Sequence, residues 1–405
     1  MKSALIPTTL MLAVLAIPAK ADVITDWNLK TGNLITESKM GTPPAVRVMA
    51  IVQTSAYGAV NAITQRYPMA ASQQRAAKGA SIDAAVAAAH RGALLKLLPA
   101  QQASIDAAYQ AALASITDGD AKTAGIVIGE QAAAQVLAQR ADDSVTSPVA
   151  YRPHTSAGAY VPTAMPAVPQ WSQRKPWLMT SAAQFRPAAP PALTGEVWIR
   201  DYNEVKALGS KTSSSRSAEQ TQIALFWEYS LPSIYYGVVR SVAEQPAREP
   251  TRNALLYAMA AQAMDDALIG VFDAKYRYNF WRPVTAIRNG DGDGHDGTQR
   301  DASWTSLIDA PMHPEYPSGH AILASAVATV LKADIGAGPV PTLTTTSPTA
   351  KGATRRWASL DDFVREVSDA RIYAGIHFRT ATEVGIEMGR RIGELAAKRL
   401  HTPGQ

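Results

Sequence analysis

The run NALLYAMAAQAMDDALIGVFDAKYRYNFWRP, residues 253–283, sets the reading of the whole chain. From Asn253 to Phe272 apolar residues recur at helical spacing, so the segment predicts a helix. Beyond it stand Lys275 and Arg282, seven residues apart, which an ideal helix would place on one face about two turns from each other. Pro283 disfavours helical backbone at the residue before it, so it pushes Arg282 toward an extended conformation and marks an exit from the helix. Either geometry can aim both cations at one point. Taken alone, the same residues with Arg277 also describe a solvated basic face.

Working outward, residues Val46 to Arg140 are rich in Ala, Leu, Ile, Val and Gln at helical spacing, and three or so helices are expected there. Ser81 is a natural N-cap for a run that reaches Leu98 and is stopped by Pro99. The alanine-rich segment from Gln101 to Ile116 is expected to end at Gly119. Between Pro148 and Pro191 lie nine of the 26 prolines together with Trp171 and Trp177, which rules out helix and predicts an ordered wrap over the surface. Helical texture resumes at Ser217, which forms a capping box with Gln220 before a run interrupted at Pro232. Loops are expected over Asn289 to Asp301 and from Gly336 to Gly352. With no internal repeat and no strand-period run, the expected class is all-α. The expected division is an N-terminal helical region, 22–190, ending in the Pro-rich wrap, and a C-terminal helical domain, 191–405.

At 405 residues, with 47% hydrophobic and 18% charged, the chain can bury a sizeable core and is not of disordered composition. Met1-Lys2, the apolar run Ala4 to Ile17 and Ala19-Lys20-Ala21 read as a signal peptide, residues 1–21, implying an exported, periplasmic or secreted protein. No later stretch is expected to span a membrane. With no cysteine, there is no disulfide and no lipoprotein anchor. Removing Lys2 and Lys20 lowers the formal charge from +5 to +3, too little and too scattered for a nucleic-acid binder.

Two further segments carry chemistry. Pro317-Ser318-Gly319-His320 stands before a clean helix running to about Ala333. Ser318 is a natural cap, Gly319 lets an anion approach the backbone, and first-turn amides point outward, while His320 beside them can exchange a proton. Arg371 and His377 are six residues apart, about 240° around a regular helix, so they can share a ligand only if the helix breaks. Gly375 offers that break, ending a helix begun near Leu360. Each segment alone also reads as ordinary capped-helix structure. Together they supply two guanidiniums, an ammonium, a hydroxyl, a glycine amide and two imidazoles, the inventory for holding a tetrahedral oxyanion.

These three segments resemble the signature motifs of the superfamily of vanadium-dependent haloperoxidases and type 2 phosphatidic acid phosphatases. The pattern is a lysine, an arginine-proline seven residues on, a Pro-Ser-Gly-His, and an arginine followed six residues later by histidine, and it covers Lys275 to His377. The resemblance implies packed four-helix bundles with the oxyanion pocket in the C-terminal bundle. It further implies that Lys275, Arg282 and Arg371 contact the non-reacting oxygens of vanadate, with phosphate able to occupy the same place. Ser318 and the Gly319 amide complete the cradle, and His320 acts as acid or base. His377 would ligate vanadium in a haloperoxidase or attack phosphorus in a phosphatase.

His313, seven residues before His320, resembles the histidine of the algal bromoperoxidase type instead of the phenylalanine of the fungal chloroperoxidase type. The resemblance therefore implies oxidation of bromide or iodide, less readily chloride, by hydrogen peroxide to a hypohalous species. The chain departs from the family at Ala381, where an aspartate is usual, and at Ala370, where serine is usual. His377 would then be oriented by a backbone carbonyl, Asp369 or Glu383. A phosphohistidine nucleophile should suffer more from that loss than a vanadate ligand, which favours the peroxidase. The alternatives are an exported acid phosphatase acting on phosphomonoesters, and a noncatalytic oxyanion-binding protein supported by Ala381 alone. The loop from Asp291 to Gly297 lacks the spacing of an EF-hand and is expected to be a surface turn. His90, His154 and His401 have no partners at metal spacing.

Overall fold

The computed structural model describes residues 22–69, 75–76, 79–143 and 145–400. The expected signal segment, 1–21, and His401 lie outside the described residues. The N-terminal half holds α1 (Val23–Glu37), α2 (Thr42–Thr64), α3 (Ile82–Leu97), α4 (Gln102–Ala114) and α5 (Asp120–Gln139). After the Pro-rich stretch come α6 (Glu196–Leu208), α7 (Ala218–Phe226), α8 (Ser233–Ala243), α9 (Pro250–Tyr278), α10 (Pro283–Arg288) and α11 (Gly319–Ile335). A hairpin of β1 (Leu343–Ser347) and β2 (Ala353–Trp357) precedes α12 (Leu360–Tyr373) and α13 (Arg379–Leu400). The fold is helical, as expected, with this hairpin as its two-stranded sheet.

Two helix starts follow directly from capping chemistry. Ser81 accepts from the Ala84 amide at 3.2 Å, and Ser217 and Gln220 form the reciprocal capping box. Gly119 is a correction: α4 stops at Ala114, and Gly119, at φ +145, stands at the N-cap of α5 instead of closing the helix before it. The hairpin corrects the loop expected over 336–352. Its strands are five residues each, too short for a period to show, and Thr345 and Ser347 anchor it by donating to the carbonyls of Ile234 and Phe226. The segment 291–297 is the surface turn expected, most of its residues exposed, and its buried member Asp293 accepts from Trp198 Nε1 at 2.9 Å, tying the loop to α6.

The axis of the molecule is α9. It packs against α2 on one side and against α11 and α13 on the other, so both halves share it. At 29 residues it is long and apolar enough to cross a membrane, contrary to the expectation that no later stretch approaches that length. Its apolar window is wholly enclosed by protein, which makes it the core helix of this fold. The adjacent acids Asp265 and Asp266 at its middle have a partner to match. Asp265 accepts from Arg174 at 2.6 and 3.0 Å and from Trp177 Nε1 at 2.8 Å, while Asp266 accepts the amides of Trp177, Leu178 and Met179. The Pro-rich stretch is thus an ordered wrap clamped onto the core, as its composition predicts.

Helix α11 is seated by a row of glycines four apart on α13. A Cβ at Gly389 would lie 2.3 Å from the Ile322 carbonyl oxygen, and Gly385 and Gly393 are similarly close to α11. Helical glycine costs about 1 kcal/mol relative to alanine, and here it purchases backbone-to-backbone approach of the helix whose first turn carries Gly319 and His320.

Asp265→Ala removes the bidentate partner of the buried Arg174 and leaves it Asp143 alone, at 3.1 Å, so it should lower unfolding free energy by about 3 kcal/mol in urea titration. The Arg174–Lys175 region should become sensitive to limited trypsin digestion under native conditions. An unchanged midpoint and digestion pattern would contradict the clamp.

Candidate functional site

Lys275 lies in the last turn of α9 and is fully enclosed. Its Nζ donates to three carbonyls, Pro314 at 2.9 Å, Glu315 at 2.8 Å and Pro317 at 2.5 Å, so one ammonium pins the whole segment leading into α11. Burial pushes its pKa well down, and the nearby Arg282 charge adds to that. The chain leaves α9 through Asn279, at φ +49, and Arg282 is extended at φ −80, ψ 155. Pro283 marks the expected exit from α9 and also opens α10, taking a first-turn position where its missing amide costs nothing.

Arg282 ties the site together. Nε donates to the His313 carbonyl at 3.0 Å, Nη1 to the Ile376 carbonyl at 2.8 Å, and Nη2 to His313 Nδ1 at 2.9 Å. A guanidinium cannot accept, so His313 Nδ1 acts here as an acceptor. Arg371, in the last turn of α12, donates from Nη1 to the Trp227 carbonyl, and its buried Nε has no partner among the described residues. Burial lowers both Arg282 and Arg371 to about 10.

The expected helix break is present. Helix α12 ends at Tyr373, Gly375 takes φ +76, and a Cβ there would meet the Gly209 carbonyl oxygen at 2.3 Å, so only glycine fits the turn. The amides of Ile376 and His377 fold back onto the Arg371 carbonyl, which brings His377 to the group that Arg371 faces.

The carboxylate missing at position 381 is replaced from elsewhere. Glu315 Oε1 accepts from His377 Nδ1 at 2.7 Å and from the Phe378 amide at 3.0 Å. Asp369 pairs with Arg379 and Glu383 lies 4.0 Å from Arg200, so neither orients His377 as the sequence suggested. With its proton on Nδ1, His377 presents a lone pair at Nε2, the tautomer a metal ligand needs. Burial first, then the charges of Arg282 and Lys275, hold its pKa well below the usual value and keep the ring neutral. Burial pushes Glu315 up to about 7, against the pull of Arg282 and Lys275.

Ser318 caps α11, accepting from the Ala321 amide at 3.4 Å. Gly319 has open space where a Cβ would be, and His320 follows it in the first turn with a buried Nε2 that has no partner among the described residues. His320 is also held well below its ordinary pKa, by burial and then by Arg371. His313 sits edge-on to Phe272 at 5.3 Å. Lys275, His313, Gly319, His320, Arg371 and His377 all line one cavity of about 490 Å³. Arg282 backs it through His313 and His377, and Ser318 lies behind Gly319. Ala167 and Val168 of the Pro-rich wrap reach its mouth.

Among the described residues, three enclosed cations thus surround one enclosed carboxylate, Glu315, while the donor Arg371 Nε and the ring nitrogen Nε2 of His320 have no partner. Buried charge of one sign is costly unless paired, so the cradle is chemically complete only with an anion in it. A tetrahedral oxyanion such as vanadate or phosphate matches this donor set, with His377 Nε2 as the group able to bond its central atom. Glu315 was missed in the sequence because it is 62 residues from His377. The available signal was a lone carboxylate inside His313-Pro314-Glu315-Tyr316-Pro317, directly ahead of the Ser-Gly-His motif.

Residues 255–404 match the family described as the VCPO second helical-bundle domain, a stretch that contains all of these groups. The vanadium chloroperoxidase of Curvularia inaequalis is 29% identical over 223 residues, covering 46% of this chain and 36% of the relative, so the chain spans about a third of that relative's length. Among solved structures, a bacterial vanadium-dependent iodoperoxidase superposes with a TM-score of 0.78 at 24% identity, covering 94% of this chain and 98% of the other. The holo form of a bacterial vanadium-dependent chloroperoxidase gives 0.73 at 19% identity, covering 89% and 93%. At these identities the solved structures establish a shared fold.

An anion that binds only the folded state stabilises it, so orthovanadate or phosphate at about a hundredfold over Kd should raise Tm by about 3 °C in a chain of this length. Arg371→Ala should abolish the shift. Glu315→Gln should weaken vanadate binding by about 10–100-fold, as loss of a ligand's supporting partner does; retention within twofold would remove Glu315 from its assigned place.

Proposed function

The chain belongs to the superfamily of vanadium-dependent haloperoxidases and type 2 phosphatidic acid phosphatases, and from that premise we propose that it is a vanadate-dependent haloperoxidase oxidising bromide or iodide, less readily chloride, with hydrogen peroxide. The observation that carries this reading is the Glu315–His377 pair within a cradle of unneutralised cations. Glu315 removes the argument from Ala381, because the imidazole does have a carboxylate orienter. The noncatalytic alternative loses its one support by the same finding. What favours peroxidase over acid phosphatase is therefore the character of the relatives together with His313 in the cavity.

In this reading Lys275, Arg282 and Arg371 hold the charge of the bound vanadate, with Ser318 and the Gly319 amide beside them and His377 Nε2 as the metal ligand. Vanadate supplies a Lewis-acidic oxide that makes peroxide oxygen electrophilic toward halide. The chain does the proton work: His320, held neutral, is placed to take a proton from incoming peroxide and return it to the departing product. His313, fixed by Arg282 and backed by Phe272, is the group that tunes the halide. Export to the periplasm or beyond belongs to the same proposal, carried by the composition of residues 1–21.

The test is peroxide-dependent bromination by the purified protein with and without orthovanadate, alongside a phosphomonoester assay. Activity should require vanadate and fall by at least about a thousandfold in His377→Ala, the loss of a group acting on the reacting centre. Phosphatase activity inhibited by vanadate, with no bromination, would select the phosphatase. Within an active protein, His313→Phe should raise the ratio of chloride to bromide oxidation; an unchanged ratio would free His313 of that role.

A further inference from the structure

A hypohalous acid made at the cradle meets the chain's own side chains before it meets anything else. The chain has no cysteine, which leaves the soft, polarisable thioethers of its 11 methionines as its most readily oxidised groups. Methionine is ordinarily an interior residue, and Met49, Met179, Met259, Met264 and Met388 are buried here. Met40 and Met69 are half-buried. The two that are exposed among the described residues, Met165 at 80% and Met312 at 51%, stand together.

Met312 lines the cavity that holds the cradle, next to His313, and its carbonyl accepts the Ala167 amide at 2.6 Å. Met165 precedes that amide by two residues, within about 7 Å of chain. Ala167 lines the cavity too, and Tyr276 Oη fixes it from the other side by donating to its carbonyl at 2.5 Å. The Pro-rich wrap and the segment before α11 are thus joined at the mouth of the cavity, and each carries a thioether in the open. Side chains this exposed add little to the packing of the core, so packing does not account for a methionine at either position.

We infer that Met312 and Met165 are oxidation sites, whose thioethers intercept hypohalous acid as it leaves the cavity and become sulfoxides in place of the enclosed methionines. The oxidant comes from the haloperoxidase reading, on which this inference rests. The sulfur attacks the bromine of hypobromous acid and the O–Br bond breaks, releasing hydroxide. Water then adds to sulfur as bromide leaves, and two protons are lost, one of them to the hydroxide. One thioether and one hypobromous acid thus give one sulfoxide, one bromide and one proton, with sulfur oxidised and bromine reduced. Position decides the consequence: a sulfoxide at an enclosed methionine puts a polar group into the core, whereas at Met165 and Met312 it faces water. Methionine sulfoxide is also enzymatically reducible, so the trap can be reset.

The experiment is peptide mass spectrometry on vanadate-loaded protein after a short turnover with bromide and hydrogen peroxide, and separately after the same amount of reagent hypobromite. The reagent arrives from bulk solution, so its oxidation should follow exposure, Met165 ahead of Met312. Turnover delivers the oxidant through the cavity, so the ratio of Met312 to Met165 sulfoxide should rise by about threefold or more, with both ahead of Met40 and Met69. The double variant Met165→Leu, Met312→Leu should inactivate after about threefold fewer turnovers, each protein normalised to its own initial rate. An equal ratio in the two treatments, or a double variant as durable as the parent, overturns the inference; the first readout needs no variant to fold. A parallel sample with an added bromination reporter separates the two readings. If the reporter is brominated and the methionines stay unoxidised, the trap alone fails; if it is not brominated, the peroxidase reading fails and the trap falls with it.

Discussion

The constraint on which the rest of the structure depends is the confinement of Lys275, Arg282 and Arg371 in one enclosed space with a single carboxylate. These cations direct their hydrogen bonds to neutral acceptors: Lys275 to carbonyls of the segment 314–317, Arg282 to the carbonyls of His313 and Ile376 and the imidazoles of His313 and His377, Arg371 to the Trp227 carbonyl. Such bonds fix geometry without neutralising charge. The three segments that carry the motifs are therefore cross-linked by the cations themselves, and the positive charge left over is of the sign that an anion would neutralise. Site assembly and anion affinity are two consequences of one arrangement.

The surrounding fold reads as the means of sustaining that arrangement. Helix α9 delivers Lys275 from a fully enclosed position, and the wrap clamped at Asp265 and Asp266 brings Val168 to the cavity rim. The glycine row on α13 draws α11 close enough that its first turn stays within the core. The N-terminal half contributes more than bulk, since the start of α2 lines the same cavity.

Much of this was legible in the sequence. The helical class, the caps at Ser81, Ser217 and Ser318 and the break at Gly375 follow from local spacing, while the members of the cradle become legible only when the three segments are taken together and compared with the family pattern they resemble. What was hidden depends on distance in sequence or on shortness. Glu315 serves a histidine 62 residues away, and nothing local distinguishes it from any carboxylate between prolines. The hairpin strands are five residues each, below the length at which alternation separates from chance. Gly119 misled because glycine suits either end of a helix, and only the position of its neighbours decides which. Asp265 and Asp266 find their donors in the wrap, about ninety residues earlier in the chain, where no local spacing points to them.

The placement of Glu315 bears on how such a site can change without being lost. An orienter on α13, four residues past the histidine, would share a helix with its neighbours and be fixed by helical spacing. Glu315 instead sits on the irregular segment that Lys275 pins through the carbonyls of Pro314, Glu315 and Pro317, so one cation of the cradle also positions the carboxylate that orients His377. The Ala381 carbonyl accepts the Ser318 amide, so the position vacated by the usual acid helps seat the same segment through its backbone. The departure at one residue is thus absorbed by a second arrangement of the same functional groups, one in which the orienter Glu315, the cap Ser318, Gly319 and His320 all lie within the eight residues from His313 to His320, a segment that Lys275 holds through three carbonyls.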